Sequence, residues 1–270
     1  MIVGVDIHPA ANTRRTGERK ENPMLRRIAA LICLLTFTSC CGLKAASAQT
    51  QARAVVELFT SQGCSSCPAA DRLLGELAGD PALIAMSVHI DYWDYIGWKD
   101  TLADPRNTAR QRGYAYARGD GKVYTPQAVV NGTVHALGSN RAAIEEAIVK
   151  SRKLGAMSLP PVKFGLADGR FDIAIPDGTE ERTAEVWLWG LAKVVTVAIA
   201  RGENKGRDIT YHNVVRRCLK IGDWNGRANS WSVPLTALAG DGIDRAAVLV
   251  QTGRLEKPKA ILGAALASIR

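Results

Sequence analysis

From residue 55 to residue 152 the chain alternates short apolar runs with segments of helical spacing. Residues 55–60 (VVELFT) read as a strand, followed by a turn at 61–63. Residues 64–78 place Leu73, Leu74 and Leu77 at helical spacing, and Gly79-Asp80-Pro81 ends that helix. In 83–90 Ile84, Met86, Val88 and Ile90 share one face and Ala85, Ser87 and His89 the other, which is strand alternation. Asp104-Pro105 supplies a capping side chain followed by a first-turn proline, so a helix is expected from there to about Ala117. Residues 123–130 and 133–137 flank Asn131-Gly132, a pair that takes positive φ at both positions of a two-residue hairpin turn. A helix capped by Ser139 closes the segment near Arg152.

The resulting order is β-α-β-α-β-β-α, with a parallel crossover between the first two strands and an antiparallel edge. Residues 154–162 (LGAMSLPPV) lack periodicity and read as a linker. Beyond them come a hairpin around Asp168-Gly169, β-rich stretches in 185–200, a turn at 202–206, and further short strands at 208–218, 229–235 and 246–251. Many short strands with turn signals and little helix predict an all-β sandwich. The expected organisation is a presequence over 1–48, an α/β domain over 49–153, the linker, and a sandwich-like domain over 163–270.

The presequence changes the charge reading. Residues 28–37 (IAALICLLTF) form a ten-residue apolar run behind Arg26 and Arg27. A membrane span needs about 20 residues, so the run fits the core of a secretory signal, with Ala46-Ser47-Ala48 as the cleavage site and Met24 as the start. A lipid on Cys40 is the alternative. A periplasmic or secreted location follows. Residues 1–48 carry seven basic and three acidic side chains, leaving 28 against 23 and a net charge of +5. With no basic run interleaved with aromatics, a nucleic-acid partner is not expected.

Three of six cysteines, Cys64, Cys67 and Cys218, remain in the mature chain. An oxidising compartment lets disulfides persist, and the odd thiol is read as a buried small hydrophobe. Gly63-Cys64-Ser65-Ser66-Cys67-Pro68 follows a strand and opens a helix, where unpaired amides and the helix dipole stabilise a thiolate. Cys64 is the expected nucleophile and Cys67 the resolving thiol. A structural disulfide is one competitor, although so small a loop constrains the unfolded chain little. A metal-ligand pair is the other, but no second Cys/His pair lies at metal-finger spacing, and neither metal nor cofactor is expected. Glu57, if buried behind the pair, could accept the Cys67 proton; an ordinary charge at a strand edge is the plain alternative. Thr125-Pro126 fits a cis bond at the mouth of a strand, exposing backbone to an extended substrate. Residues 91–98 (DYWDYIGW) follow a strand end, so Tyr92 and Trp93 are candidates for the wall of a substrate cleft.

The succession of strand, Cys-x-x-Cys helix, second βα unit, Thr-Pro hairpin and closing helix resembles the thioredoxin fold over about 53–152. The stretches VELFTSQGCSSCP, HIDYWDYIGW, VYTPQAVVNG and GENKGRDITYHNVVR resemble an uncharacterised family of secreted bacterial thioredoxin-like proteins with a β-rich C-terminal domain. That resemblance implies a redox pair at Cys64 and Cys67, a cis-proline at Pro126, and Glu57 near the buried acid of thioredoxins. Gly63 and Ser65-Ser66 depart from the familiar pattern. The expected function is an exported thiol–disulfide oxidoreductase acting on protein or small disulfides. The alternative is a binding module or copper chaperone in which the two thiols, with His89 or His135, hold Cu(I).

Overall fold

The structure, a computed structural model, describes residues 52–178 and 182–269. The expected leader, the cleavage site near Ala48 and Cys40 lie outside these residues. Strand β1 (Ala54–Thr60) leads through the Cys-x-x-Cys turn into helix α1 (Pro68–Leu77), then β2 (Leu83–His89), α2 (Pro105–Arg118), β3 (Gln127–Val130), β4 (Val134–Leu137) and α3 (Arg141–Lys153). The remainder is β5 (Lys163–Ala167), β6 (Arg170–Ile175), β7 (Ala184–Ala198), β8 (Asp208–Trp224), β9 (Asn229–Pro234), β10 (Arg245–Arg254) and β11 (Lys257–Ser268).

Local chemistry accounts for the element boundaries. Asp104 caps α2 by accepting the Arg106 N–H at 2.8 Å. Asn140, one residue beyond the expected Ser139, caps α3 by accepting the Ala143 N–H at 3.0 Å. Asn131 and Gly132 both have positive φ, 49° and 72°, but three residues rather than the expected two join β3 to β4: Val130 pairs with Val134, and the Thr133 N–H donates to the Val130 carbonyl at 3.1 Å. Asn131 is fully buried and does more: its Oδ1 accepts the Val55 N–H at 2.7 Å and its Nδ2 donates to Ser151 Oγ at 2.8 Å. A Cβ on Gly132 would lie 2.2 Å from the Lys259 carbonyl oxygen, so glycine is required there for β11 to approach.

The expected pairing of a thioredoxin-like α/β domain with a separate all-β sandwich is overturned. The strands form one mixed eight-stranded sheet in the order β11-β10-β7-β8-β2-β1-β3-β4, with a smaller sheet β5-β6-β9 beside it. The join is β8 against β2, through Ser87 opposite Val214, reinforced by Asn213 Nδ2 donating to the Ala85 carbonyl at 2.8 Å. Strands β7 and β8 are 15 and 17 residues long and pair almost throughout, with register shifts at Val186/Trp187 and Gly190/Leu191. The same two strands therefore serve both halves. The first half of β7 pairs with β10, and β8 reaches β2.

The cores follow from this single sheet. Val56, Leu58, Ala85 and Val130 face Leu73, Leu74 and Leu77 of α1 and Ile144 and Ile148 of α3. On the other face Val55, Phe59, Met86 and Val88 pack with Tyr114 of α2 and with Trp187, Trp189, Leu249 and Ile261 from the C-terminal strands. That second cluster contains both halves of the chain. Burying each such side chain contributes about 1.5–3 kcal/mol, so the shared cluster binds the halves into one folding unit. The small sheet covers β7, β10 and β11 through Phe164, Phe171 and Ile173, with Trp224 at the end of β8 in the same cluster.

Candidate functional site

Cys64 and Cys67 are joined as a disulfide with Cα atoms 5.4 Å apart. The helix opens at Pro68, later than expected, so Cys67 is its N-cap residue and Cys64 lies in the preceding turn. That turn is closed by the Cys67 N–H donating to the Cys64 carbonyl at 3.1 Å. Both cysteines are buried, at 2% and 1% exposure, while Ser65 and Ser66 between them face solvent. Ser66 Oγ lies 3.3 Å from Cys64 Sγ.

Gln62 anchors this turn, a residue without a role in the sequence reading. It is fully buried; its N–H donates to Asp100 Oδ2 at 2.8 Å, and its Oε1 accepts from Trp98 Nε1 at 2.8 Å. Asp100 also meets His89 Nδ1 at 2.8 Å. Burial is the largest influence on Asp100 and pushes its carboxyl up. The His89 charge and the Gln62 and Leu102 amides outweigh it and hold Asp100 below the usual carboxylate range.

Of the predicted cleft residues, Trp93 is the one that links the parts. Its Nε1 donates to Thr125 Oγ1 at 2.7 Å, and a Cβ on Gly63 would lie 3.2 Å from Trp93 Cβ. The Thr125–Pro126 bond is cis and Pro126 is buried. Tyr95 stacks on Trp93 with ring centroids 6.3 Å apart and is 80% exposed, whereas Tyr92 packs against the central core.

Glu57 is fully buried, but both its oxygens are engaged. Arg110 approaches them at 2.6 and 3.0 Å and the Tyr114 hydroxyl at 2.5 Å. It shares the face of β1 that carries Val55 and Phe59, while α1 covers the Leu58 face. A carboxylate bound this way has little hydrogen-bonding capacity left for Cys67.

Asp71 offers that capacity. It is 1% exposed, one turn beyond Cys67, with its N–H donating to the Cys67 carbonyl at 3.0 Å. Oδ1 accepts from Thr60 Oγ1 at 2.8 Å; Oδ2 is buried without a protein partner. Burial pushes its carboxyl up to about 7, against opposing pulls from His89 and Thr60. The signal was present in the sequence: Ala70, Asp71, Leu74 and Leu77 fall on the inward stripe of α1, so an acid there had to be buried.

The remaining candidates stand apart. His89 is held by Asp100, and His135 by Tyr124 and Asp120 at 2.8 and 3.3 Å. Among the described residues no group of three or more His, Cys, Asp or Glu could hold a metal ion. Cys218 lines a small cavity of about 180 Å³ with Arg106, Arg110 and Arg216, and burial pushes its thiol up to about 12. Among the described residues no helix is long and apolar enough to cross a membrane, and the disulfide is compatible with an oxidising compartment.

Fold and site together define a mixed α/β protein with a Cys-x-x-Cys disulfide at the head of its first described helix. The chain belongs to the family described as "Protein of unknown function (DUF1223)", whose model matches residues 55–251. It is similar to the crystal structure of protein AGR_C_4864 from Agrobacterium tumefaciens, at 34% identity and a TM-score of 0.72, covering 83% of this chain and 97% of that one. No curated protein matches the chain.

Proposed function

We propose that this chain is an exported thiol–disulfide oxidoreductase whose working group is Cys64–Cys67. The observation that carries this reading is the disulfide at the N-terminus of α1 with a buried, half-partnered carboxyl, Asp71, one turn behind it. A helix N-terminus and a Cys-x-x-Cys spacing favour thiolate chemistry, and an acid with a pKa near the operating pH suits proton transfer.

In the reducing half-reaction an external thiolate attacks Cys64 Sγ. The new sulfur–sulfur bond forms as the Cys64–Cys67 bond breaks, and the electron pair leaves on Cys67, which takes a proton from Asp71. A second thiolate then attacks the external sulfur of the mixed disulfide and expels Cys64; the thiol pair is oxidised and the protein gains two electrons. Run backwards, Asp71 accepts the Cys67 proton as Cys67 resolves the mixed disulfide. We give this role to Asp71 in place of Glu57. Trp93, Thr125 and Pro126 form the wall against which a partner's chain is oriented, and the partner is a protein thiol or disulfide. Export after cleavage near Ala48 supplies the compartment.

The test is catalysed insulin reduction and refolding of reduced RNase, with pH-dependent alkylation of reduced Cys64. Activity lost in Cys64→Ser and a Cys64 thiolate pKa below the free value of about 8.5 are expected. An unperturbed thiol together with unchanged activity in Cys64→Ser defeats the reading.

A further inference from the structure

The connection between β7 and β8, residues 199–207, closes on itself, with the Ile199 N–H donating to Arg207 O at 2.9 Å and the Gly206 N–H to Ile199 O at 2.8 Å. Its tip is bound to the cysteine turn. Asn204 is fully buried, and its Nδ2 donates to the carbonyls of Gln62 and Cys64, both at 2.9 Å. Arg207 satisfies the Asn204 oxygen at 3.2 Å, so the whole amide is used. Next to it the Glu203 carboxylate accepts the Ser65 N–H at 3.2 Å. Gly202, at φ +79°, lies against Trp98, which itself donates to Gln62.

These contacts fall on both sides of Cys64. Exchange requires an attacking sulfur to approach Cys64 along the line of the sulfur–sulfur bond, and Cys64 is 2% exposed with the loop bound to the backbone on both sides of it. The Glu203 contact acts in the same sense: it places a negative charge on the first amide after Cys64, a donor that a Cys64 thiolate would otherwise use.

We propose that residues 199–207 are a latch over the Cys64–Cys67 disulfide, and that exchange proceeds from a conformation in which Asn204 and Glu203 have left the cysteine turn. The latch takes its purpose from the redox reading above, as the regulation of that same site. It makes the reactivity of the pair depend on an opening step that a partner can drive by binding the released loop.

The experiment follows reduction of the oxidised full chain by dithiothreitol, quenched with acid and read by mass after alkylation. In the native chain the rate levels off at high dithiothreitol, at the opening rate. Asn204→Ala, which loses three hydrogen bonds, two of them to the cysteine turn, raises the rate at low dithiothreitol by at least about tenfold. Glu203→Ala, at an exposed side chain, raises it by about threefold with an unchanged melting temperature, and decides the matter should Asn204→Ala not fold. A native rate that stays linear in dithiothreitol, with both variants within about twofold of it, overturns the latch. Insulin reduction separates the two claims. Variants that accelerate reduction by dithiothreitol in a chain with no insulin reductase activity uphold the latch and defeat the redox assignment. Native insulin reductase activity with unaccelerated variants does the opposite.

Discussion

The backbone N–H of Asp71 donates to the carbonyl of Cys67 at 3.0 Å, which ties a buried carboxyl to the second cysteine through one turn of helix. Helix geometry fixes this backbone spacing, and the Thr60 hydroxyl holds the Asp71 carboxyl at 2.8 Å. On the proposed reading, this relationship would let the helix itself supply the proton donor for Cys67.

Asp71→Asn is accordingly expected to slow resolution of the Cys64 mixed disulfide by roughly a hundredfold. Stopped-flow rates from pH 5 to 9 would show an inflection near 7 in the native chain and none in the variant. Stability carries the same signature. Burial raises this carboxyl from 3.8 to about 7, so the folded protein keeps a proton that the unfolded chain releases near pH 4. The associated stabilisation is complete at acid pH and is lost as pH rises through about 7. Urea titrations between pH 4 and 8 should show that slope in the native chain and a flatter one in Asp71→Asn; equal slopes would remove Asp71 from the account.

Glu57 should behave in the opposite way. Glu57→Gln leaves Arg110, itself fully enclosed, without its countercharge, a change that costs about 3 kcal/mol or more. Because Glu57 lies on the face of β1 away from α1, reduction of Cys64–Cys67 by dithiothreitol should stay within about twofold of native under conditions where the variant is folded. A large rate loss at preserved stability would return Glu57 to the chemistry.

The contrast between these two acids shows where the sequence was legible. The strand, turn and helix order through Arg152 could be read because periodicity, caps and the Asn131-Gly132 turn are local signals. The pairing of β8 with β2 could not. Apolar alternation says that Ser87 and Val214 lie in strands, not that they are neighbours, and the fully buried β2 reads the same whichever strand covers its edge. Strand β11 was missed because its LGAALAS stretch is made of small residues without a strand's usual bulk. At the site the cysteines announced themselves by spacing. Asn204 and Glu203, 140 residues away, carried no pattern that pointed to Cys64, since their role comes from the tertiary join alone.

That join is testable at Asn213, whose backbone has φ +47° and whose amide bridges Ala85 O and Arg245 Nη1. Asn213→Ala should cost about 2 kcal/mol from the lost hydrogen bonds and the left-handed backbone. With a core shared between the halves, native chain and variant should each unfold in urea as one transition with similar slope, the midpoint alone moving. Two separated transitions, with Asn213→Ala shifting one of them, would mean that the halves fold independently.

Cys218 provides the last contrast, between a thiol kept for packing and one kept for chemistry. It sits on β8 opposite Trp189, under the N-terminal turn of α2, and burial pushes it up to about 12 even with Arg110 and Arg106 nearby to pull it down. That shift favours the thiol over the thiolate, and the thiolate is the reactive form. Native chain reduced with dithiothreitol and treated with iodoacetamide at pH 8 should therefore take up label at Cys64 as the 199–207 loop opens, while Cys218, half-buried but held as a thiol, is labelled more slowly until urea unfolds the chain. Because the thiol lies in the same wall as Leu255 and Arg110, Cys218→Ser should cost about 1–3 kcal/mol by leaving a hydroxyl in a desolvated position, with insulin reduction unchanged. Labelling of Cys218 at a rate comparable to Cys64 in folded protein would show that desolvation does not govern this thiol.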